Sequence, residues 1–330
     1  MSATARPSRY KDQPAISLES EALLAHYLPG VGAKLCSLRY KPLDLELLLQ
    51  RPQAQYRLAP YDGSYVAEGE CSGGDEMFPS IDRCFYEGYP WRGTPIPDHG
   101  EVWSLPWQGT EQGGRLHFAV HGVRFPYRLE KWVSLVDEAT LHTDYRLTNL
   151  SGFDFDFMWA AHMMLNLEEG AELALPEGVR KVVTALSFDG GLGRYGDEFD
   201  WPLARLAAGQ TRDLRRMQPK SARQTVKYFV KGRMPEGWCA LTYPQSGCTL
   251  RLSWPVEQAP YLAVLADEGG WDDLYSLFLE PATASCDRLD VARLRGECST
   301  VKAGDVYEWH LDITLTRSPQ PVAPLSPAAT

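Results

Sequence analysis

The 330-residue sequence has a formal net charge of −10 and contains no basic run or arginine-rich stripe, which argues against nucleic acid or an anionic membrane as a partner. Hydrophobic residues make up 44% and charged residues 23%, as in ordinary globular proteins, and no apolar run is long enough to span a membrane. We therefore expect a soluble protein that binds an uncharged ligand.

The N-terminal residues 1–15 are polar, show no hydrophobic period and lack the apolar core of a secretory signal, so we expect them to be disordered. The seven cysteines, at positions 36, 71, 84, 239, 248, 286 and 298, form no CxxC pair. An odd number of cysteines without a signal peptide predicts reduced thiols in the cytoplasm.

Short alternating runs of apolar and polar residues fill most of the chain and are separated by Gly, Pro or Asp. Three examples are "RLHFAVHG", "LHTDYRLTN" and "YEWHLDITL". One face carries Leu116, Phe118 and Val120 in the first run, Leu141, Thr143, Tyr145 and Leu147 in the second, and Tyr307, Trp309, Leu311, Ile313 and Leu315 in the third. This period of two predicts an antiparallel all-β protein. The histidines on the opposite faces, which we predict at the sheet surface, are His117, His121, His142 and His310.

The segment from Phe78 to Trp103, "FPSIDRCFYEGYPWRGTPIPDHGEVW", is dense in Pro, Gly and aromatic residues and fits neither a helix nor a strand. We predict a long loop, an element that usually presents side chains to a ligand. Its candidate binding residues are Asp82, Arg83, Trp91, His99, Glu101 and Trp103. Tryptophan can stack on the C–H face of a sugar while charged groups bond the hydroxyls, so a sugar site and a purely structural loop are the two interpretations.

A second histidine, His162, ends the run "FDFDFMWAAH". The face that carries Asp154 and Asp156 becomes apolar through Met158 and Ala160 before it reaches His162. This change along one face predicts a strand that enters a covered cleft, with His162 on the cleft side. A core histidine bonded to a backbone carbonyl is the alternative interpretation.

A candidate base, Glu280, lies in the run "DEGGWDDLYSLFLEPATASCD". Glu280 shares one strand face with Ser276 and Phe278, and we predict that Pro281 ends the strand. Apolar neighbours raise the pKa of a carboxylate and allow it to act as a base near neutral pH. An ordinary ion pair with Arg288 is the alternative.

Six segments resemble, in order along the chain, the aldose 1-epimerase (galactose mutarotase-like) family: "PGVGAKLCSLRYKPLDLELL", "GGDEMFPSIDR", "PDHGEVWSLPW", "YRLTNLSGFDFDFMWAAHMML", "FLEPATASCDRL" and "GDVYEWHLDITL". The resemblance runs from about Ile16 to Arg317. It implies a large antiparallel β-sandwich of the galactose mutarotase-like type, formed by residues 16–317 as a single domain. The Pro- and Ala-rich tail, residues 318–330, is predicted to be disordered.

The resemblance also implies catalytic roles. Glu280 resembles the base that takes the proton of the C1 hydroxyl, and His162 resembles the acid that protonates the ring oxygen. His99 would assist at the ring oxygen or at the C1 oxygen. The predicted substrate-binding residues are Arg83, Asp82, Trp91, Glu101, Trp103, Asp267 and Trp271. Exchange of the α and β anomers of a monosaccharide moves only protons, so no cofactor and no metal is expected.

The sequence departs from the usual members of the family in three places. It reads "SIDRCF" where they carry an Asn-Arg pair, "PIPDHGEVW" where they carry a stronger histidine-rich signature, and "LADEGGWDD" where they carry a substrate-binding aspartate. Asp267 and Asp272 are the candidates for that aspartate.

Three other functions are compatible with parts of the same set of residues. A non-catalytic sugar-binding protein would need only the stacking residues, and a metal site could use His99 and Glu101 of the "HGE" triplet. Glycoside cleavage would need two carboxylates, for which Glu101 and Glu280 are candidates. Arg83, Arg92 and Arg124 could receive a phosphate, so free and phosphorylated aldoses both stay open, and the sequence does not indicate the oligomeric state.

A reaction that moves only protons should survive removal of metal ions. After exhaustive chelation, we expect anomer exchange at the untreated rate, measured by exchange NMR. Loss of activity that one divalent ion restores would replace this mechanism with the metal-site alternative.

Overall fold

Strands form most of the protein, and the computed structural model describes residues 3–52, 55–207 and 209–317. The strands are Thr4–Tyr10 (β1), Gln13–Glu19 (β2), Leu23–Leu28 (β3), Lys34–Tyr40 (β4), Leu45–Glu46 (β5), Gly74–Met77 (β6), Cys84–Phe85 (β7), Pro95–Ile96 (β8), Gln108–Gln112 (β9), Arg115–His121 (β10), Tyr127–Asp137 (β11), Thr140–Asn149 (β12), Phe155–Phe157 (β13), Ala160–Asn166 (β14), Glu172–Ala174 (β15), Lys181–Ser187 (β16), Glu198–Asp200 (β17), Leu203–Arg205 (β18), Thr211–Asp213 (β19), Gln224–Val230 (β20), Trp238–Tyr243 (β21), Cys248–Ser253 (β22), Tyr261–Glu268 (β23), Tyr275–Ala282 (β24), Ser299–Val301 (β25) and Val306–Arg317 (β26). Between them lie the α-helices Tyr65–Glu68 (α1) and Leu289–Arg295 (α2) and the 3-10 turns Lys41–Leu43, Val102–Ser104, Phe188–Gly190 and Lys220–Ala222.

The strands assemble into two large antiparallel sheets. The larger sheet has 12 strands in the order β1-β2-β3-β4-β6-β14-β24-β23-β20-β16-β17, with β5 added beside β4. The smaller sheet has eight strands in the order β15-β21-β22-β26-β12-β11-β10-β9. This confirms the predicted all-β class. No helix in the described ranges is both long and apolar enough to cross a membrane.

The two sheets pack face to face around a buried ion pair. Glu76 on β6 of the larger sheet accepts a hydrogen bond of 2.9 Å from Lys131 on β11 of the smaller one. The hydroxyl of Tyr145 on β12 and the indole N–H of Trp159 also donate to Glu76, at 3.0 and 2.8 Å. All four side chains are buried, so these bonds connect the two layers of a β-sandwich inside its core.

The alternating runs of the sequence follow this packing. The inward-facing residues of β10 and β12, such as Leu116 and Leu141, are buried, as are Leu311 and Ile313 on β26. The histidines predicted at the sheet surface, His117, His121, His142 and His310, are partly or fully exposed. The predicted faces of these three strands are therefore confirmed.

The N-terminal segment forms an ordered hairpin, and the prediction that residues 1–15 are disordered is wrong there. β1 pairs with β2 along its whole length. Tyr10 packs its ring edge-on against Tyr56 and donates a hydrogen bond of 2.5 Å to Gln50. The polar composition concealed this strand because an edge strand needs little apolar surface. The predicted tail, residues 318–330, lies outside the described residues.

β24 continues through Pro281 to Ala282, so the prediction that Pro281 ends this strand is also wrong. Its pairing with β14 has an interruption between the Ala160–Ala282 pair and the Met163–Leu279 pair. Proline lacks a backbone N–H and is tolerated where a ladder of hydrogen bonds is interrupted. The interruption lies beside the candidate catalytic residues.

The buried ion pair between the sheets gives a testable consequence. Lys131→Met should lower the free energy of unfolding by about 3–5 kcal/mol, because it leaves the Glu76 carboxylate buried without its counter-ion. Urea unfolding measures this change. Arg146→Met is the matched control, since its partner Glu308 is 60% exposed and an exposed pair contributes at most about 1 kcal/mol. Equal effects of the two substitutions would contradict the role given to the Lys131 contact.

Candidate functional site

A cleft with a cavity volume of about 290 Å³ lies on the outer face of the larger sheet, opposite the face that packs on the smaller sheet. Its lining includes Tyr65, Asp82, His99, His162, Lys227 and Trp271. The long Pro- and Gly-rich loop, the α1 segment and the central strands β14, β20, β23 and β24 all contribute to it. Convergent ionisable groups in a concave site mark a candidate functional site.

A wider depression of about 540 Å³ lies on the outer face of the smaller sheet. Its charged side chains are engaged with each other, since Arg115 pairs with Asp144 and Arg146 with Glu308. It has the character of a solvated sheet surface. We therefore place the functional site in the smaller cleft.

The two strands at the centre of the cleft bring His162 and Glu280 together. The register of β14 and β24, continued through the interruption, sets His162 directly opposite Glu280. His162 Nε2 lies 3.9 Å from Glu280 Oε1, and the Glu280 side chain is fully buried. These two residues, predicted from distant segments of the sequence, thus form one pair, in which His162 lines the cleft and Glu280 is buried beside it.

Lys227 on β20 neutralises the buried carboxylate. Its Nζ lies 2.8 Å from Glu280 Oε2 and 2.8 Å from Asp287 Oδ1. Burial alone would lower the pKa of Lys227, but the charges of Asp287 and Glu280 outweigh it and raise the pKa. Burial raises the pKa of Glu280, and the Lys227 charge opposes that rise. Glu280 Oε1 is buried and has no hydrogen-bond partner among the described residues, so its capacity to accept a hydrogen bond is unused.

His162 is held by a buried chain of hydrogen bonds. Lys34 donates to Asp75 Oδ2 at 2.5 Å, and the Tyr65 hydroxyl donates to the same oxygen at 2.7 Å. The Tyr65 oxygen lies 3.3 Å from His162 Nδ1. Because the single hydroxyl proton of Tyr65 is given to Asp75, this contact requires His162 Nδ1 to carry a proton and donate it. The Nε2 lone pair of His162 is then left on the Glu280 side.

The surroundings of His162 favour a neutral ring. Burial lowers its pKa well below the ordinary value, and the positive charges of His99, Lys227 and Lys34 lower it further. An imidazolium at this position would lack both solvent and a carboxylate in hydrogen-bond contact. At neutral pH, His162 therefore offers its Nε2 atom as a proton acceptor.

His99 has the opposite surroundings. Its Nδ1 lies 2.9 Å from Asp98 Oδ1, and its ring stacks on Tyr65 with the centroids 4.2 Å apart. Burial would raise the pKa of Asp98, but the hydrogen bond and charge of His99 outweigh it and lower the pKa. The carboxylate and the aromatic face both suit a cationic ring. His99 also has a φ of 59°, an uncommon backbone conformation that is frequent at functional sites.

Asp82 and Trp271, two of the predicted substrate-binding residues, line the cleft. Burial raises the pKa of Asp82, and the nearby charge of Asp287 adds to this rise. Asp267 lies just behind, with no exposed surface, and its Oδ1 accepts hydrogen bonds from the Thr225 hydroxyl and the Trp271 N–H. Asp267 therefore positions the turn that carries Trp271, which is a different role from the predicted sugar contact.

Arg83 lies outside the cleft, in a shallow exposed depression that it shares with Asp82, Asp98 and Arg288. Its guanidinium donates to the backbone carbonyl of Asp62 at 2.6 Å. Asp82 thus borders both concavities. Arg83 is next to the site but does not line its floor.

Trp91, Trp103 and Glu101 pack away from the cleft, contrary to their prediction as sugar contacts. The Trp91 ring meets Phe155 edge-on at 5.7 Å, and Trp103 is 5% exposed and donates to the Asp98 carbonyl at 2.8 Å. These side chains hold the loop in place from beneath. The structural interpretation of this part of the loop is therefore the correct one.

Glu101 is fully buried and serves as an acceptor inside the loop. It receives hydrogen bonds from Tyr61, from the Tyr127 hydroxyl at 2.7 Å and from the Arg124 N–H at 2.9 Å. This contradicts the glycosidase alternative, which needs Glu101 as a second carboxylate at the site. Within the described part of the chain, no three His, Cys, Asp or Glu side chains are grouped so that they could hold a metal ion.

Sequence reasoning missed Lys227, Tyr65, Asp75 and Asp287. A signal for Lys227 was present in "TVKYFV", where a lysine interrupts an otherwise apolar strand. A lysine in such a strand is seldom fully buried unless it is paired. The sequence could indicate that Lys227 needs a carboxylate partner, but not which one.

No protein-family model and no curated protein matches the sequence. The chain is similar in structure to a protein from Escherichia coli that is assigned provisionally to the aldose 1-epimerases, with a TM-score of 0.66, 15% identity, and coverage of 96% of this chain and 100% of that one. A galactose mutarotase-like protein from Clostridium acetobutylicum gives a TM-score of 0.68 at 13% identity, over 96% of this chain and 99% of that one. The chain has the galactose mutarotase-like fold. Another galactose mutarotase-like protein, from Lactobacillus casei, gives a TM-score of 0.65 at 18% identity, over 92% of this chain and 100% of that one.

The hydrogen-bond chain to His162 can be tested without any assumption about the reaction. Tyr65→Phe removes the hydroxyl that accepts from His162 Nδ1, so we expect the ring proton to move toward Nε2. Nitrogen-15 NMR of labelled histidine reports which ring nitrogen is protonated. The spectrum of His162→Gln lacks the His162 signal and therefore identifies that signal in the wild type.

Tyr61→Phe is the control for this experiment, since it removes a hydroxyl that bonds another buried carboxylate, Glu101. It should leave the His162 signal unchanged. A wild-type His162 protonated at Nε2 would contradict the assignment.

Proposed function

We propose that the protein exchanges the α and β anomers of an unphosphorylated aldose by acid–base opening and closing of the sugar ring. The observation that carries the proposal is that His162 and His99 line one cleft and that Glu280 is buried directly beside His162, with Nε2 of His162 3.9 Å from Oε1 of Glu280. The fold adds support, because the similar structures include proteins named galactose mutarotase-like.

Glu280 acts as the base. Ring opening requires removal of the C1 hydroxyl proton, and the unpartnered Oε1 atom of Glu280 can accept it while Lys227 holds the other oxygen. The raised pKa of Glu280, caused by burial, makes its carboxylate a stronger acceptor than an exposed one. Lys227 keeps enough positive charge beside it for the carboxylate to ionise.

His99 donates the proton that the ring oxygen needs. Its hydrogen bond to Asp98 and its stack on Tyr65 suit the cationic form, whereas burial keeps His162 neutral. His162 then accepts a hydrogen bond from a sugar hydroxyl at Nε2. The resemblance in sequence implies the reverse, with His162 as the acid, and the burial of His162 is our reason for exchanging the two roles.

The charges of the cleft favour an uncharged sugar. Lys227 is already bonded to two carboxylates, and Asp82 adds a further acidic group to the lining. Arg83, the arginine expected to meet a phosphate, lies in the neighbouring depression. A phosphate in the cleft would face carboxylates, and the two basic residues of the described lining, Lys227 and His99, are already paired with carboxylates.

A sugar-binding protein without activity is the second candidate. The ion pair between Lys227 and Glu280 favours it, since this carboxylate is fully buried and already has a counter-ion. The two candidates differ in one outcome: binding without faster anomer exchange. The rate of anomer exchange with the wild-type protein, compared with the rate in buffer, separates them.

Removing the base should stop the reaction and leave binding intact. Glu280→Gln should lower kcat about 10²–10⁴-fold with little change in KM, because the proton moves only in the transition state. Exchange NMR on galactose and glucose measures the rate, and thermal melts check folding. Glu308→Gln, on the outer face of the smaller sheet, is the control and should keep the wild-type rate. A folded Glu280→Gln protein with wild-type activity would refute the assignment of the base.

Substitution should separate the roles of the two histidines. His99→Gln should lower kcat about 10²–10⁴-fold, because it removes the group that donates a proton to the ring oxygen. His162→Gln should lower kcat less, because His162 accepts a hydrogen bond and transfers no proton. In all active forms the rate should rise with pH as Glu280 ionises, and the raised pKa places this rise above the range of an exposed glutamate. A larger loss of kcat in His162→Gln than in His99→Gln would return the role of acid to His162.

A further inference from the structure

A second cavity, also of about 290 Å³, adjoins the cleft. Ala185 borders both cavities, and the same three segments pass from one to the other. β20 contributes Lys227 to the cleft and Phe229 to the second cavity, and the segment after β24 contributes Asp287 and Cys286 in the same way. The two cavities are therefore parts of one groove across the larger sheet.

The register of the sheet connects the second cavity to the candidate base. Glu280 lies opposite Ala263, Ala263 lies opposite Phe229, and Phe229 lies opposite Val183. Residues that oppose each other in neighbouring strands point to the same face. These four opposed residues form one row across the sheet. Glu280 is at one end, only the small side chain of Ala263 follows it, and Phe229 and Val183 at the other end line the second cavity.

The second cavity offers an aromatic face and balanced charges. Tyr195 on its edge is 64% exposed, so its ring is accessible for stacking. Lys231 pairs with Glu198 at 2.6 Å, and Arg295 faces the same cavity as Glu297. Two cations beside two carboxylates leave no net charge for an ionic ligand. A neutral ring with hydroxyls fits this lining, because it can stack on Tyr195 and bond the charged groups.

We infer that the second cavity is a subsite for the non-reducing ring of a disaccharide whose reducing ring occupies the cleft. The inference rests on the proposed function, since anomer exchange needs a free C1 hydroxyl beside Glu280. Each cavity lies near the lower limit of the ~300–1,000 Å³ typical of ligand pockets, which suits one ring in each. The preferred substrate is thus a neutral reducing disaccharide.

The test compares maltose, cellobiose and lactose with glucose and galactose. We expect kcat/KM for at least one disaccharide to exceed that of its reducing monosaccharide about tenfold, the size of one good stacking contact. Tyr195→Ala should lower the ratio of disaccharide to monosaccharide kcat/KM by about the same factor. Tyr89→Ala is the matched control, because Tyr89 is 77% exposed and belongs to the loop beside Phe153, and it should leave the ratio unchanged.

Saturation-transfer NMR on the bound disaccharide gives a second measurement that does not depend on activity. Both rings should receive saturation in the wild type, and the non-reducing ring should lose it in Tyr195→Ala. Saturation of the reducing ring alone, or a kcat/KM ratio that Tyr195→Ala does not change, would overturn the subsite and leave the proposed reaction standing. Saturation of both rings without anomer exchange would overturn the proposed reaction and leave the subsite. A disaccharide that receives no saturation would overturn the subsite as well.

Discussion

The burial of the Glu280 carboxylate is the constraint on which the cleft depends. Removing a carboxylate from water costs several kcal/mol unless a charge or hydrogen bonds compensate it, so the neighbouring strands must supply partners. β20 supplies Lys227 at 2.8 Å, and the segment after β24 supplies Asp287 to balance the lysine in turn. β14 places His162 on the other side. The shared register of these central strands therefore fixes the ionisable groups relative to one another.

Tyr65 couples the two imidazoles while keeping their surroundings different. Its hydroxyl lies between Asp75 and His162, and its ring stacks on His99. The rings of His99 and His162 are 5.5 Å apart, yet one is beside the Asp98 carboxylate and the other is buried among apolar and cationic groups. Groups whose surroundings separate their protonation states suit the donor and acceptor roles of acid–base catalysis. The short helix that carries Tyr65 is thus as important to the site as the sheet.

The parts of the protein that could be predicted from the sequence are the strands in which apolar and polar residues alternate regularly. The alternating strands were recognisable because one face is buried, and His162 and Glu280 were recognisable because polar residues interrupt apolar faces. Glu101 and Trp103 were assigned wrongly because a loop has no period, so composition cannot tell an inward side chain from an outward one. The Lys227–Glu280 pair was missed because it depends on strand order in the sheet, which local sequence does not encode.

The proposed function requires the wild-type protein to accelerate ring opening in an unphosphorylated sugar. Magnetisation transfer between the anomeric protons of glucose or galactose, or of a reducing disaccharide, measures this exchange directly at equilibrium and needs no coupled enzyme. We expect transfer far faster than in protein-free buffer at the same pH, together with no gain for the corresponding sugar 6-phosphates. Exchange at the buffer rate for every neutral sugar tested would refute the proposed function and leave a sugar-binding protein in its place.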